Sequence, residues 1–371
     1  MKYKIGSPVI DTFVDRESER RKIREGINNN HFALIGLRRT GKTSLALKIC
    51  EEMKEDMIPV YIDVSFIAPL TEKNFLRTFA SEVVDKYTDY TDDKALSLKF
   101  KRFMSGAKDA LVDILKGTRV SIGELAEVYF KSEEDLTDIL KVTMQLPEKL
   151  AEETGNDFIV ILDEFPRLLE LNNDDFIWSL RSYIHRSENT HYIISGSAVS
   201  SMRYLLEKES PFFGTLLSIQ LNSLEEDAVD EFMDLSGVDI SEDAKQKIKE
   251  ITGMLPLYLQ AFFHVADTRD LKTIGMEEVE DITKEVFDLL DTHFDYYLQE
   301  LKGFKRTLLI EVASQDLHTA SQLSGVLEKT NNYVTTYLRR LENEGFLEHY
   351  SKGKYKMTDP FFKLWIRKHI Q

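Results

Sequence analysis

Short apolar runs alternate with longer stretches of helical spacing along residues 1–221. Runs of about 4–8 apolar residues that end in turn residues are typical of strands buried on both faces of a sheet. Between these runs, apolar residues recur at the spacing of an amphipathic helix. Strands that alternate with helices predict an α/β fold, in which helices wrap a mostly parallel sheet. The strand-like runs lie at 31–36, 58–65, 157–163, 191–196 and 216–221.

Two parts of the chain lack strand-like runs. Residues 71–154 show only helical spacing, which predicts helices packed on the sheet or protruding from it. The pattern is helical again after the last of the five runs, and this predicts a helical domain over residues 222–300 behind an α/β domain over residues 1–221. Two serines are the expected N-caps of the first helices in this domain, and two glycines are their expected stops. These residues are Ser223, Ser241, Gly237 and Gly253.

Residues 301–371 show a third pattern, in which three helical segments precede two strand-like runs joined by a Lys-Gly turn. Three helices and a two-stranded wing describe a winged helix-turn-helix domain. The third helix has one apolar face, formed by Val334, Leu338 and Leu341. Its other face carries side chains that suit contacts to DNA phosphates and base edges. These are Asn332, Thr335, Thr336 and Arg339, and the wing adds Lys352, Lys354 and Lys356. The closing run DPFFKLWIRKH predicts an amphipathic helix docked on the body of the protein.

Composition narrows the class of protein. The chain has 371 residues, of which 42% are hydrophobic and 30% are charged, as in a water-soluble globular protein. Its apolar runs are far shorter than a membrane span, and its N-terminus lacks the pattern of a secretory signal. Cys50 is the only cysteine in the sequence, so no intrachain disulfide is possible and a reducing compartment is expected. The prediction is a cytoplasmic protein that does not bind membranes.

Charge bears on the partners. The net charge of −16 argues against a protein that coats nucleic acid. Residues 301–371, however, carry 12 basic and 7 acidic side chains. A basic end on an acidic body leaves DNA open as a partner of the winged helix. The alternative is that this module packs on its own α/β domain or on another protein, and Glu342, Glu344 and Glu348 favour that alternative.

A complete phosphate-binding loop follows the first strand-like run. Its G-x-x-x-x-G-K-[ST] spacing turns main-chain N–H groups inward around phosphates, at the N-terminus of the next helix. Lys42 is expected to reach the β and γ oxygens of a nucleotide, and the Thr43 hydroxyl is expected to bind Mg²⁺. The two arginines of the loop, Arg38 and Arg39, can contact phosphate or face solvent, and the sequence favours neither interpretation. The predicted cradle comprises Gly36, Leu37, Arg38, Arg39, Thr40, Gly41, Lys42, Thr43 and Ser44.

The run FIVILDEF supplies the groups that hydrolysis needs in addition to a phosphate loop. Asp163 ends a buried strand, where a carboxylate can hold Mg²⁺ through its water shell. Glu164 follows directly and is the candidate base for the attacking water. The alternative is an acidic turn after a strand. Glu164 is therefore the residue that separates an ATPase from a protein that only holds a nucleotide.

Two further segments are expected beside the nucleotide. The run HYIISGS ends in Ser197, which can hydrogen-bond a phosphate or the attacking water, although a plain turn explains the same residues. Phe13 and Val14 precede the first helix, and in a sheet of this kind such a segment lies beside the adenine base. Asp15 as the N-cap of an ordinary helix is the other interpretation.

Taken together, several motifs resemble the archaeal-type ATPase family, a branch of P-loop ATPases that has an added catalytic glutamate and is close to the AAA+ and signalling-switch ATPases. The resemblance implies a phosphate-loop strand next to the sensor strand, a helical lid and a C-terminal winged helix. It also implies that Gly253 and Pro256 form the Gly-x-x-Pro signature by which the lid approaches the nucleotide. The motifs are FVDRE, GLRRTGKTSL, FIVILDEF, IISGS, SPFFG and TGMLPLYLQ.

One position departs from this family. Members usually carry an arginine directly after the glycine of the S-P-x-x-G element, and here Gly214 is followed by Thr215. An arginine near the γ-phosphate accelerates hydrolysis by orders of magnitude in related ATPases, so slow turnover is expected unless another arginine replaces it. The sequence does not choose among the arginines of that region, which are Arg181, Arg186 and Arg203.

The leading hypothesis is a Mg²⁺-dependent ATPase that couples its nucleotide state to movement of a lid and a winged-helix module. The alternative is an ATP-gated DNA-binding regulator with little or no turnover. An ATPase that senses a partner protein is a third interpretation, which no feature of the chain excludes.

Overall fold

A computed structural model describes residues 3, 15–91, 136–197, 199–315 and 319–370. Its centre is a five-stranded sheet in the order β2-β3-β4-β1-β5, and every strand pair in it is parallel. The strands are β1 (His31–Gly36), β2 (Met57–Asp63), β3 (Asp157–Asp163), β4 (Thr190–Gly196) and β5 (Leu216–Leu221). The parallel sheet predicted from the apolar runs is confirmed. β1 and β4 are buried at every position, which explains why they read as continuous apolar runs and not as alternating ones.

Helices cover both faces of this sheet. One buried cluster joins alternate residues of the strands to Leu45 and Ile49, and a second joins the opposite face to Phe75 and Phe79. Part of the predicted helical interval, residues 92–135, lies outside the described residues. The helices of this part are α1 (Glu17–Gly26), α2 (Lys42–Met53), α3 (Glu72–Thr91), α4 (Leu136–Met144), α5 (Leu146–Thr154), α6 (Asp174–Arg186) and α7 (Val199–Leu206).

A helical segment follows β5. Its helices are α8 (Glu226–Asp234), α9 (Glu242–Thr252), α10 (Pro256–Thr268) and α11 (Met276–Glu300). A short parallel pair, β6 (Asp239–Ile240) with β7 (Thr273–Ile274), joins two of the loops and is too short to give a sequence pattern.

The predicted caps are right at both ends of α9, whereas the predicted N-cap of α8 is wrong. Ser241 caps α9 by accepting a hydrogen bond from the Ala244 main chain, and Gly253 ends it with a φ of +58°. The N-cap of α8 is Glu225 and not Ser223. The chain before α8 is held in another way, because the main-chain N–H of Leu224 donates to the Met254 carbonyl at 3.0 Å.

The C-terminal module is the predicted winged helix-turn-helix. Its elements are α12 (Phe304–Gln315), α13 (Ala320–Leu327), α14 (Asn331–Asn343), the antiparallel strands β8 (Leu347–Ser351) and β9 (Lys354–Met357), and α15 (Pro360–His369). The predicted apolar face of α14 is fully buried, and Asn332, Thr336 and Arg339 on its other face are exposed.

One hydrophobic core joins the helical segment to the C-terminal module. The buried cluster contains Tyr3 and residues between Leu224 and Ile366, and it is rich in aromatic rings around α15. Phe361 stacks on Tyr258 of α10 at a centroid distance of 4.5 Å, and Phe362 stacks on Phe294 of α11 at 5.3 Å. The closing segment is therefore a docked helix, as its amphipathic pattern predicts. Within the described ranges, no helix has the length and hydropathy that crossing a membrane requires.

Candidate active site

The carboxyl ends of the parallel strands open into a cleft with a volume of about 1600 Å³. Ligands of open α/β sheets bind at this edge of the sheet. Pockets for small molecules usually measure about 300–1000 Å³, so the cleft has room for a nucleotide and more. It is lined by loop residues from Arg38 to Ser44 together with Glu164, Ser197 and Pro256. Most of the predicted site residues are thus brought to one place.

Two glycines allow the loop between β1 and α2 to fold tightly. A Cβ on Gly36 would lie 2.5 Å from the carbonyl oxygen of Leu221 and 2.9 Å from Thr40 Oγ1, so only glycine fits there. Gly41 has a φ of +87°, in the left-handed region that glycine adopts without strain. Helix α2 then begins at Lys42 with its N-terminus at the cleft, where main-chain N–H groups favour an anion.

Lys42 is buried inside the loop. Its Nζ donates to the carbonyl oxygens of Gly36 and Leu37 at 2.9 and 2.7 Å. Burial lowers the pKa of this ammonium to about 8, against the opposing effect of the nearby carboxylates of Glu164 and Asp163. The side chain therefore carries its charge at neutral pH at a point enclosed by the loop.

Asp163 is the hub of a hydrogen-bond network at the end of β3. Its Oδ2 accepts from Thr43 Oγ1 at 2.6 Å and from the Tyr61 hydroxyl at 2.9 Å. Its Oδ1 accepts from Ser195 Oγ and from the main-chain N–H of Glu164. A carboxylate beside a hydroxyl suits Mg²⁺, which binds proteins through one or two carboxylates and the phosphates of the substrate. The two predicted metal ligands, Thr43 and Asp163, are in direct contact.

Tyr61 is a member of this network that the sequence reasoning missed. It lies on β2, which pairs in register with β3, and its side chain reaches across to the end of β3. Burial, and then the adjacent Asp163 carboxylate, raise the pKa of the Tyr61 phenol far above its usual range. The hydroxyl therefore remains a donor that holds Asp163 in place. An aromatic hydroxyl two residues before the end of an apolar strand is the signal that was available.

The predicted base and the predicted sensor contact each other. Glu164 Oε2 accepts hydrogen bonds from Ser197 Oγ at 3.0 Å and from the Ser197 main chain at 3.4 Å. Glu164 has a φ of +50°, an uncommon conformation that is typical of functional sites. Glu164 directly follows β3, and its side chain reaches the end of β4 and lines the cleft. Ser197 thus fixes the position of the Glu164 carboxylate.

The N-terminal segment meets the loop through Arg16. Phe13 and Val14, expected beside the adenine, lie outside the described residues. The Arg16 guanidinium donates to the Thr40 carbonyl at 3.3 Å and to the Asn222 carbonyl. Arg16 is also the N-cap of α1, so the interpretation of Asp15 as that N-cap is wrong. Arg16 therefore joins the phosphate loop to the beginning of the helical segment.

Pro256 lies where the Gly-x-x-Pro resemblance places it. It is the first residue of α10, and its Cγ is 3.7 Å from the point where a Cβ on Gly41 would stand. The helical segment thus approaches the phosphate loop directly.

A sequence family described as an ATPase domain predominantly from Archaea matches residues 13–262. The chain belongs to this family. MJECL04, an uncharacterised protein of Methanocaldococcus jannaschii, is 24% identical over 379 residues, which cover 96% of this chain and 68% of that protein.

Solved structures show the same fold. The Walker-type ATPase PABY2304 of Pyrococcus abyssi superposes with a TM-score of 0.68 and 17% identity, over 98% of this chain and 99% of that one. The ORC2 protein of Aeropyrum pernix, solved as ADPNP and ADP complexes, has a TM-score of 0.53 and 12% identity, over 98% of this chain and 97% of that one. The expected P-loop ATPase fold with an archaeal-type domain is therefore confirmed.

Three side chains of the loop contact the rest of the molecule. Arg39 is 6% exposed and forms an ion pair with Asp359, just before α15. Arg38 lies over the Tyr297 ring at 4.7 Å. Leu37 contacts the C-terminal module, because a Cβ on Gly345 would stand 3.3 Å from its Cδ2. The side chain of Arg39 is thus enclosed by the rest of the molecule at the lining of the cleft.

Arg181 contacts Thr215, the residue at the position that departs from the family. Its Nε donates to Thr215 Oγ1 at 3.1 Å. Arg186 and Arg203 are exposed, and none of these three described arginines lines the cleft. Arg181 thus occupies the place next to Thr215, but its guanidinium is outside the cleft of its own chain.

Proposed function

We propose that this protein is a Mg²⁺-dependent ATPase whose nucleotide state moves the helical segment and the C-terminal module relative to the sheet. The observation that carries this proposal is the Glu164 carboxylate, which lines the cleft beside Lys42 and is held by Ser197. A phosphate loop alone binds a nucleotide, whereas a carboxylate placed at the cleft can take a proton from water. Membership of an ATPase family supports the same activity.

The roles of the residues follow from their places. Lys42 and the main chain of the loop bind the β- and γ-phosphates. Thr43 and Asp163 hold Mg²⁺, which when bound neutralises charge on the phosphate oxygens. Glu164 accepts a proton from water as the water oxygen bonds to the γ-phosphorus and the bond to the β–γ bridging oxygen breaks. Ser197 keeps the carboxylate aimed at that water, and the products are ADP and phosphate.

The contacts around the loop give the route for movement. Pro256 of α10 touches the loop at Gly41, and Arg16 joins Thr40 to Asn222 at the start of the helical segment. The helical segment acts as a lid in this proposal, which closes when the γ-phosphate binds and opens after hydrolysis. The divisions at residues 221 and 300 are proposed as the limits of the moving parts.

Phosphate release measured with and without Mg²⁺ tests the ATPase proposal. We expect slow release with ATP and Mg²⁺, since Arg181 stays outside the cleft, and a loss of about 100-fold or more in EDTA because the phosphate charge is then not neutralised. A filter assay for ATP binding accompanies the measurement. Binding without any Mg²⁺-dependent release would contradict the proposal and favour the regulator described next.

A second candidate function is an ATP-gated DNA-binding regulator. The observation in its favour is the exposed polar face of α14 beside three exposed lysines of the wing, Lys352, Lys354 and Lys356. Against it, Lys356 is paired with Glu348 at 2.8 Å, which removes part of the positive charge. The modest charge of this surface makes DNA binding the weaker candidate.

Replacing the three wing lysines with glutamine tests this candidate. A plot of the logarithm of the DNA association constant against the logarithm of salt concentration has a negative slope. If the wing contacts DNA, this slope should become less steep by about 0.9 for each lost phosphate contact. Fluorescence anisotropy with a DNA duplex at several salt concentrations measures the slope. The matched control replaces three exposed lysines elsewhere, Lys272, Lys284 and Lys302, with glutamine. Equal slopes in the two triple variants would show that the wing does not contact DNA.

A further inference from the structure

Arg39 of the phosphate loop is held by a carboxylate from the other end of the chain. Its Nη1 donates to Asp359 Oδ2 and to the Tyr258 hydroxyl, although Arg39 and Asp359 are 320 residues apart in sequence. The Tyr258 hydroxyl donates to the same Asp359 oxygen at 2.6 Å. The loop, the helical segment and the C-terminal module therefore meet at one carboxylate.

Aromatic rings enclose the guanidinium of Arg39. The rings of Tyr297, Tyr258 and Phe294 lie 4.8, 5.1 and 5.2 Å from its central carbon. The side chain is 6% exposed, and its Nε and Nη2 make no hydrogen bond within the described part of the chain. Rings stabilise a cation, but they supply no acceptors for N–H groups. Arg39 is thus a buried cation with acceptors at Nη1 and none at Nε and Nη2 among the described residues.

Phosphate oxygens are the acceptors that such a guanidinium binds best. Arginine presents a planar set of donors that matches phosphate geometry, and these charge-assisted hydrogen bonds are strong. Arg39 belongs to the loop that lines the nucleotide cleft. While it is paired with Asp359, its charge is neutralised and adds little to the positive potential that attracts phosphates.

Asp359 also fixes the position of the C-terminal helix. Its other oxygen, Oδ1, accepts from the Phe362 main chain at 2.8 Å and so caps α15. The next residue, Pro360, packs against Gly253, where a Cβ would come within 2.5 Å of the proline ring. Loss of the ion pair therefore weakens the contact of α15 with the loop.

Building on the proposed nucleotide function, we propose that Asp359 sets the nucleotide affinity of the site, because nucleotide phosphate and the Asp359 carboxylate compete for Arg39. The buried pair is a regulatory contact and not chiefly a source of stability, since the cost of removing both charges from water offsets most of their attraction. Phosphate binding draws Arg39 away from Asp359 and loosens α15. Docking of the C-terminal module and nucleotide binding thereby oppose each other.

Asp359→Asn is the variant that tests the competition. Asparagine keeps an oxygen for the cap and removes the charge, and its amide NH₂ takes the place of Oδ2, where the Tyr258 hydroxyl can accept from it. Titration calorimetry with ATP should give a dissociation constant lower by about fivefold or more, the effect of one unpaired charge near the phosphates at an effective dielectric constant typical of protein surfaces. In an Arg39→Gln background the same change should have no effect on affinity. Unchanged or weaker ATP binding by the folded Asp359→Asn protein would overturn the inference.

The control variant is Asp291→Asn. Asp291 accepts from Trp365 Nε1 of α15 at 2.9 Å, so this change removes a charged partner of the same helix away from the loop. Its affinity for ATP should equal that of the wild type. An increase equal to that of Asp359→Asn would mean that loosening α15, and not freeing Arg39, raises the affinity, and it would refute the competition.

A measurement on the wild-type protein does not depend on how the variants fold. Because coupling is reciprocal, saturating ADPNP should speed hydrogen exchange of the α15 amides by up to about the same fivefold factor. Slower or unaltered exchange with bound ADPNP would contradict the proposal. If the wild type bound no nucleotide at all, the proposed function would fail first. If it bound and hydrolysed ATP with unaltered exchange in α15, only the role of Asp359 would fail.

Discussion

Lys42→Ala is expected to weaken ATP binding by about 100-fold or more, because the variant loses the ammonium proposed to donate charge-assisted hydrogen bonds to two phosphate groups. The geometry behind this expectation is the enclosure of Nζ by the loop, where it bonds the Gly36 and Leu37 carbonyls. Titration calorimetry at pH 7 measures the effect. At this pH the side chain is protonated in the wild type, since its pKa is lowered only to about 8.

The variant should remain folded. A lowered pKa means that the folded state disfavours the charged lysine relative to the unfolded chain below about pH 8, so its removal relieves a cost of burial. The matched control is Lys48→Ala on the same helix, where the lysine pairs with Glu51 at the surface. We expect Lys48→Ala to bind ATP as the wild type does. If Lys42→Ala bound ATP with wild-type affinity, the cleft would not be the nucleotide site.

The parts of the site that the sequence predicted are those whose residues are close along the chain. The phosphate loop from Gly36 to Thr43 has a fixed spacing, because its tight turn requires glycine locally, as the φ of +87° at Gly41 illustrates. Asp163 ends β3, which is buried after its first residue, and Glu164 follows it; the end of such a strand can be read from its apolar run. The strands β3 and β4 pair in parallel, and this pairing brings Ser197 to Glu164.

The parts that were missed join residues far apart. The pair of Arg39 with Asp359 spans 320 residues, and neither position has a neighbour in sequence that marks the contact. Both interpretations offered for Arg39, phosphate contact and solvent exposure, were local ones. Tyr61 was missed for the same reason, since its partner lies on another strand. Ser223 was wrongly expected as a cap because its pattern is local, whereas the bond from Leu224 to Met254 that holds the chain is not.

These long-range contacts change the interpretation of the molecule. A winged helix can be expected to be an independent DNA-binding module, but here α15 shares a core with α10 and α11, and Asp359 reaches the phosphate loop. The C-terminal module is therefore placed to respond to the nucleotide whether or not DNA binds to it. Only the chemistry at Glu164 decides whether that response is cyclic, because a bound nucleotide that is never hydrolysed sets a single state.

Glu164→Gln is expected to lower the steady-state rate of phosphate release by about 100-fold or more, which is the usual contribution of a positioned general base. Glutamine has nearly the same shape and can still accept a hydrogen bond from Ser197, but its amide cannot take a proton from water. ATP affinity should therefore change by less than about threefold, since the lost charge repelled phosphate only weakly beside Lys42. Phosphate release and ATP binding are measured on the same preparations.

The matched control is Glu170→Gln, which removes the same charge from the lining of the same cleft at an exposed position paired with Arg167. We expect this control to turn over ATP at close to the wild-type rate, because Glu170 is not placed at the ends of β3 and β4. Equal losses in both variants would trace the effect to the charge of the cleft and not to a proton acceptor. Full turnover by Glu164→Gln would show that another residue is the base. ATP binding without turnover in every form, including the wild type, would favour a nucleotide-gated regulator.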